Sequence, residues 1–422
     1  MMASLLETLR HDRRWLGLLL IAILVRLAVM PFTLHMDAYQ IYSRAAEAAY
    51  GGDWFAWTPQ IVVQSVHNLW LLVIRPFLPD SAGIWSETAS VAGVGASPDE
   101  YHAFLEYDHA YRAIFLMKVP YVAADLFCAF LIARLVDPAR RLAATAFWLL
   151  NPLVIYATAI YGRHDVLAIA LVLLSLALVR RATDASRLGG LLLIGLATLM
   201  RFFPVLLVPL YLLAFRRTHR QLIIAAGILI GMWAGVEAVA ILVSGESPTL
   251  EILATHEHVE YWSDAGVRLR FDDFIYFLPA LYVGALLWIG ERGITPDEYP
   301  RWAAGAFLLL FGLTFFHPHW AIWLVPFLAV TIAHSPRLVA YHALQVLTIG
   351  VYATQWGYWT TWEVLRPAIG DRVASLPDPY EALSAQVEPR LVYGVVRSAL
   401  TAISIWIAVS LIRPLVRRRI DA

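Results

Sequence analysis

RRLAATAFWLLNPLVIYATAIYGRHDVLAIALVLLSLALVRR (140–181) sets the reading of the whole chain. Two apolar runs, 142–160 and 166–180, are separated by one polar turn, YGRHD (161–165), and an arginine pair closes each far end. Runs of this length suit a bilayer, and short arginine-rich loops stay on its cytoplasmic side. The same alternation extends in both directions. Arg10, Arg13 and Arg14 precede the first apolar run, Arg216, Arg217 and Arg220 form a later basic turn, and Arg417, Arg418 and Arg419 end the chain. Five polar clusters then fall on the opposite side: HMDAY (35–39), YGRHD, RFF (201–203), HEHVEYW (256–262) and FHPHW (316–320). The chemistry is expected on the outer face.

A hydrophobic fraction of 60%, with 15% charged residues and a mean hydropathy of +0.64, excludes an ordinary soluble domain. Length and flanking charge predict an all-α, polytopic membrane protein with roughly twelve spans. They fall at 15–34, 112–134, 142–160, 166–180, 188–200, 203–215, 221–243, 274–291, 302–316, 319–333, 338–358 and 391–413. The runs near 188–215 and 302–333 are short, so broken or re-entrant helices are expected there. The first run is too long for a signal peptide and lacks a small-residue cleavage site, so it reads as a retained anchor.

The whole chain, 1–422, reads as one integral membrane domain with both termini in the cytoplasm. Its longest outer loop, 35–111, should hold amphipathic helices over 38–50 and 61–78. Shorter outer segments lie at 244–273 and 359–390. Equal numbers of acidic and basic residues argue against nucleic-acid binding. The only cysteine, Cys128, excludes a disulfide framework and a cysteine-based metal site. Lys118 is the only lysine among otherwise arginine-only basic positions.

Asp37 follows the first run directly. It suits either a helix N-cap or a general base held at the membrane edge, with His35 and Tyr39 flanking it. In YGRHD, Asp165 can cap the next helix, but capping does not account for Arg163 and His164, and an arginine there suits an anionic phosphate. Arg201 lies between two apolar runs ahead of Pro204, either snorkelling at a kink or supplying a second phosphate contact. Lys118 and Asp125 share one helix face, and charges inside a bilayer must face a polar cavity or a partner. A pair with Asp125 or with Glu237 therefore competes with a place in the site. His256 with His258, and His317 with His319, offer paired imidazoles. An interfacial aromatic belt with Trp262 and Trp320 accounts for these better than a metal, and metal dependence stays open.

Together these residues resemble the GT-C superfamily of membrane glycosyltransferases, nearest to glycosyltransferase family 87 and the GPI mannosyltransferase catalytic subunit. The likeness is carried by Asp37 with Tyr39, LLNPLVIYATAIYGRHDVLA (149–168), LATLMRFFPVLLVPLYLL (196–213) and FFHPHWAIWLVPFL (315–328). It covers most of 15–333 in the order and character of its segments. Many members pair two acids in the first outer loop, whereas Asp37 has no acidic neighbour and Glu47 or Asp53 would have to substitute.

The resemblance implies a GT-C-like fold in the plasma membrane and inverting transfer of mannose, arabinose or glucose. The donor would be a polyprenyl-phosphate sugar and the acceptor a lipid or glycan. It makes Asp37 the base. Arg163, His164, Arg201, Lys118, His317 and His319 become donor-phosphate contacts, with Tyr39, His256 and His258 toward the acceptor. A transporter or flippase of a lipid-linked or small anionic substrate would also need buried charges, but the polar clusters lie on one side only. A lipid-linked glycan ligase or polymerase shares the outer Arg and His pattern, yet lacks a large late outer loop here.

Overall fold

The first apolar run forms α1 (Arg13–Val29), which tightens through a 3-10 turn at Met30–Phe32 where Pro31 enters. In this computed structural model residues 13–57, 59–90, 95–181, 183–215, 218–250, 265–270 and 273–420 are described. The loop 35–111 carries helices at both runs expected to be amphipathic, α2 (Met36–Ala46) and α3 (Ile61–Ile74). A third helix, α4 (Pro98–Leu105), begun by a Ser97–Glu100 capping box, was not expected. Helix α5 (Ala110–Leu135) follows.

The opening quoted stretch folds as α6 (Arg141–Leu149) and α7 (Pro152–Ile155), which runs into a π-helical turn, Tyr156–Tyr161. The two halves bend by 49° at Asn151-Pro152. Proline cannot continue the first helix, and the Asn151 side chain accepts from Leu153 N at 3.0 Å to start the second. The chain then forms α8 (Asp165–Val179), α9 (Asp184–Met200), α10 (Leu207–Phe215) and α11 (His219–Ser244).

A two-stranded antiparallel hairpin, β1 (Gly266–Arg268) and β2 (Phe274–Tyr276), is a small departure from the all-α expectation. Beyond it come α12 (Phe277–Arg292), α13 (Tyr299–Leu313), α14 (Val325–Thr331) and α15 (Pro336–Ala353). Short pieces α16 (Tyr358–Thr361), α17 (Arg366–Ile369) and α18 (Pro379–Ser384) lead to the long α19 (Pro389–Ile420). Helix α8 packs on α5 and α9, and α19 packs on α13 and α15.

Among the described residues four helices are long and apolar enough to cross a membrane: Arg13–Phe32, Ala110–Leu135, His219–Ser244 and Pro389–Leu415. The bent pair makes a fifth if its two halves act as one span. Twelve apolar runs therefore exceed the helices that pass this test. The runs at 203–215 and 319–333, in the regions where broken helices were expected, begin as 3-10 turns, Phe203–Leu206 and Pro318–Leu324, before continuing as α-helix.

Within the apolar layer, Asp125 pairs with Arg26 at 2.5 Å. It also accepts from Trp148 Nε1 at 2.7 Å and from Thr158 Oγ1 at 3.2 Å. Each charge is thus matched and hydrogen-bonded, the condition under which a buried pair survives. Neither pairing considered for Lys118 forms: Asp125 belongs to Arg26, and Glu237 is held by Thr249 and Ser247.

Candidate functional site

Asp37 lies one residue inside α2, its backbone N–H capped by the His35 ring at 3.1 Å. Its own carboxylate is thereby free for other partners. Tyr161 donates to Oδ2 at 3.1 Å and Arg163 at 3.2 Å, while His35 Nδ1 lies 3.4 Å from Oδ1. The side chain stays one-third exposed, at 34%. Burial pushes its carboxyl up, but His35 and Arg163 outweigh that and hold it well below the ordinary carboxylate value of 3.8. At neutral pH it is an anion, the state a base needs.

Tyr161 and Arg163 reach Asp37 because of the turn between them. Gly162 has φ +83°, a left-handed conformation that favours glycine. A Cβ there would meet Lys118 Cε at 3.1 Å and Ala38 Cβ at 3.4 Å, so the turn also packs closely on α2.

A second carboxylate, Asp165, is fully buried and gathers the two site arginines. Arg201 Nε lies 3.0 Å from its Oδ1 and Arg163 Nε 3.9 Å from its Oδ2. Trp323 Nε1 donates to Oδ1 at 2.9 Å. Arg163 and Arg201, on different turns, thus share one acid. Beside them His164 and His319 are buried, and neither ring of either residue has a nitrogen with a hydrogen-bond partner among the described residues. Burial first, then the guanidinium groups of Arg201 and Arg163, drives His164 well below its ordinary value, so it is a neutral imidazole.

His319 lies against Tyr161 with ring centroids 4.4 Å apart, and Tyr161 stacks on His35 at 3.9 Å. His317 stacks behind His319 at 5.8 Å. Buried polar atoms normally find partners, so such a group of unpaired ring nitrogens calls for a water or a ligand.

Two expected site residues are used differently. Lys118 is fully buried and donates to the carbonyls of Ile160 at 2.8 Å, Ala159 at 2.9 Å, Met30 at 3.2 Å and Thr33, and to Thr33 Oγ1 at 3.1 Å. It pins the end of the first span to the π-turn. A cation at two helix C-termini is favoured there by their dipoles. Tyr39 is buried against Trp85, Tyr101 and Phe104, and its hydroxyl donates to Ile84 O at 3.0 Å. His256 and His258 lie outside the described residues.

Sequence reasoning missed Tyr161 and the bridging role of Asp165, although both stand in the quoted YGRHD turn. Neither Glu47 nor Asp53 joins Asp37. Glu47 is ten residues further along, about 15 Å at the helical rise, and Asp53 Oδ1 accepts from Phe55 N at 3.0 Å. No group of three or more His, Cys, Asp or Glu suited to a metal is found among the described residues.

A late segment braces this arrangement. Val364 O accepts from Leu34 N at 2.9 Å, three residues before Asp37, and Thr360 O accepts from the Tyr156 hydroxyl at 3.1 Å. Arg366 holds the segment together through Glu363 at 2.6 Å, Tyr358 at 2.6 Å and Asp371 at 2.9 Å.

Residues 102–268 match the model of glycosyltransferase family 87. The family-87 part of the resemblance drawn from the motifs agrees with this match. The family-87 match indicates a glycosyltransferase. It spans less than half of the chain and includes Arg163, His164, Asp165 and Arg201, whereas Asp37 and His319 lie outside it. No curated protein and no solved structure matches the chain.

Proposed function

We propose that the chain transfers a sugar from a polyprenyl-phosphate donor to a lipid or glycan acceptor, with inversion, on the outer face of the plasma membrane. The supporting observation is the juxtaposition of a partly exposed, ionised Asp37 with Arg163, Arg201 and two unpaired imidazoles. In the proposed step Asp37 takes the acceptor hydroxyl proton. The acceptor oxygen bonds to the anomeric carbon as the bond from that carbon to the phosphate oxygen breaks. The bond's electron pair leaves with the phosphate.

The donor is a phosphodiester of one negative charge, and the leaving polyprenyl phosphate gains a second. Arg163 and Arg201 are placed to neutralise that developing charge, the electrostatic form of transition-state stabilisation. His164 and His319, neutral donors or acceptors, suit the phosphate oxygens or the sugar hydroxyls. The sugar is mannose, arabinose or glucose, and metal dependence is left open by these residues. The transporter alternative gains no support from the family match.

The direct test is Asp37→Asn, which keeps the Tyr161 and Arg163 hydrogen bonds to the remaining oxygen. Purified variant protein should bind donor and lose turnover by about 10²–10⁴-fold, the usual contribution of a general base. Turnover equal to the wild type in a correctly inserted variant would refute the assignment.

A further inference from the structure

The far end of α9 presents a second polar feature, separate from the candidate site. Arg187 lies thirteen residues before Met200, about 20 Å away along the helix. There α9, α10 and the start of α11 enclose a cavity of about 200 Å³. Its lining is mostly apolar, with Leu191, Phe215, Ala225 and Ile228 among its walls, and Asp184, Arg187, Tyr211 and Gln221 supply its polar part.

Nε and Nη1 of Arg187 are buried and have no hydrogen-bond partner among the described residues. The nearest acid, Asp184, stays 3.9 Å from Nη1 and is 84% exposed, so water screens it. Arg181 and Arg220 add exposed positive charge nearby, while Arg180 is engaged with Leu135 O at 2.7 Å. The groove opens onto α11, whose only buried residue is Ala240 and whose Ile223, Ile224 and Ile230 are exposed.

We propose that this pocket binds an anionic phospholipid, its phosphate on Arg187 and one acyl chain along the groove between α9 and α11. A bare acyl chain would leave the desolvated guanidinium N–H groups unpaired, a costly state. A free phosphate would leave the apolar walls uncovered. One molecule that ends in a negative headgroup and carries a hydrocarbon chain satisfies both.

The test uses the purified full chain in detergent and native mass spectrometry with equimolar dioleoyl-phosphatidylglycerol and dioleoyl-phosphatidylcholine. Parallel thermal-unfolding arms add each lipid, glycerol 3-phosphate or inorganic phosphate. The wild type should favour the anionic lipid about fivefold, the ratio expected of one arginine near a membrane surface, and its midpoint should rise by a few degrees at saturation.

Arg187→Gln should abolish the preference, Ala225→Trp should reduce retention of both lipids by filling the groove, and Arg220→Gln should leave the preference intact. If Arg187→Gln does not fold, the Ala225→Trp and Arg220→Gln results decide. Equal retention of the two lipids, an unchanged preference in Arg187→Gln, or its loss in Arg220→Gln overturns the proposal. So does a midpoint shift with glycerol 3-phosphate or inorganic phosphate as large as that with the lipid.

Discussion

Replacing Lys118 by methionine keeps the length and apolar stem of the side chain and removes only the ammonium. The structure assigns that ammonium no carboxylate partner; it holds four carbonyls and the Thr33 hydroxyl. An ammonium has three protons, so its removal takes away three hydrogen bonds from these acceptors. The carbonyls of Met30, Thr33 and Ile160 lie where helices end and intrahelical donors run out.

Leaving a buried acceptor unpaired costs roughly 1–3 kcal/mol. Three such losses, partly offset by the vanished desolvation of the ammonium, give a net destabilisation of about 3 kcal/mol. The thermal midpoint in detergent, at one fixed scan rate, should fall by roughly 5 °C. Lys118→Arg should not rescue, because the larger head must fit where Gly162 already packs on the lysine stem. A Lys118→Met protein with an unchanged midpoint but weakened donor binding would refute this reasoning and return Lys118 to the site.

Arg201→Lys should fold and lower kcat/KM by at least about tenfold, since an ammonium cannot present a planar fork to Asp165 and a phosphate together; steady-state kinetics checks it. Gly162→Ala forces a Cβ into the left-handed region and toward Lys118, so stability should drop by about 1–2 kcal/mol or more, measured by thermal unfolding. The native pKa of Asp37 is depressed, so its stabilising contribution is present above the ordinary carboxylate value and lost as pH falls through the lower native one. The stability difference between wild type and Asp37→Asn should therefore hold steady from about pH 6 to about pH 4 and shrink only below that. A difference already fading near pH 6 contradicts the charge arrangement around Asp37.

Much of the site was legible because polar residues stand out in an apolar chain. Asp37, Arg163, His164, Arg201 and His319 were each singled out by position between apolar runs, and the structure brings all five together. Lys118 was singled out for the same reason, yet its partners are backbone carbonyls, which every residue carries and no sequence pattern marks. The packing of Tyr39 behind Trp85 and Phe104 was not legible, because it depends on how α2 packs and not on its neighbours in sequence. Arg26 carried a usable signal: an isolated charge midway along the first apolar run demands a buried partner. That partner, Asp125, lies 99 residues on, and only the packing of α1 on its neighbours reveals it. The count of spans was less legible, since several apolar runs fold as helices such as Asp165–Val179 and Phe203–Phe215, which are shorter than a full crossing.

The site's charges clarify why two acids accompany two arginines. Arg163 and Arg201 buried alone would repel each other and bear a large desolvation cost; Asp37 and Asp165 balance them. In the proposed reaction the two acids cannot be equivalent. Asp165 is fully buried and holds Arg201 and Trp323, so its charge is fixed in place. Asp37 is partly exposed and would give up its charge on taking the acceptor proton, as the leaving phosphate gains one. Total charge within the cluster then stays constant while one negative unit moves from Asp37 to the phosphate. Arg163 contacts Asp37 at 3.2 Å and lies 3.9 Å from Asp165, and its Nε has no hydrogen-bond partner among the described residues. Its five donors allow it to follow that unit without leaving Asp165. A low-dielectric site built this way stabilises a displaced charge with little reorganisation, which is where oriented donors act most strongly.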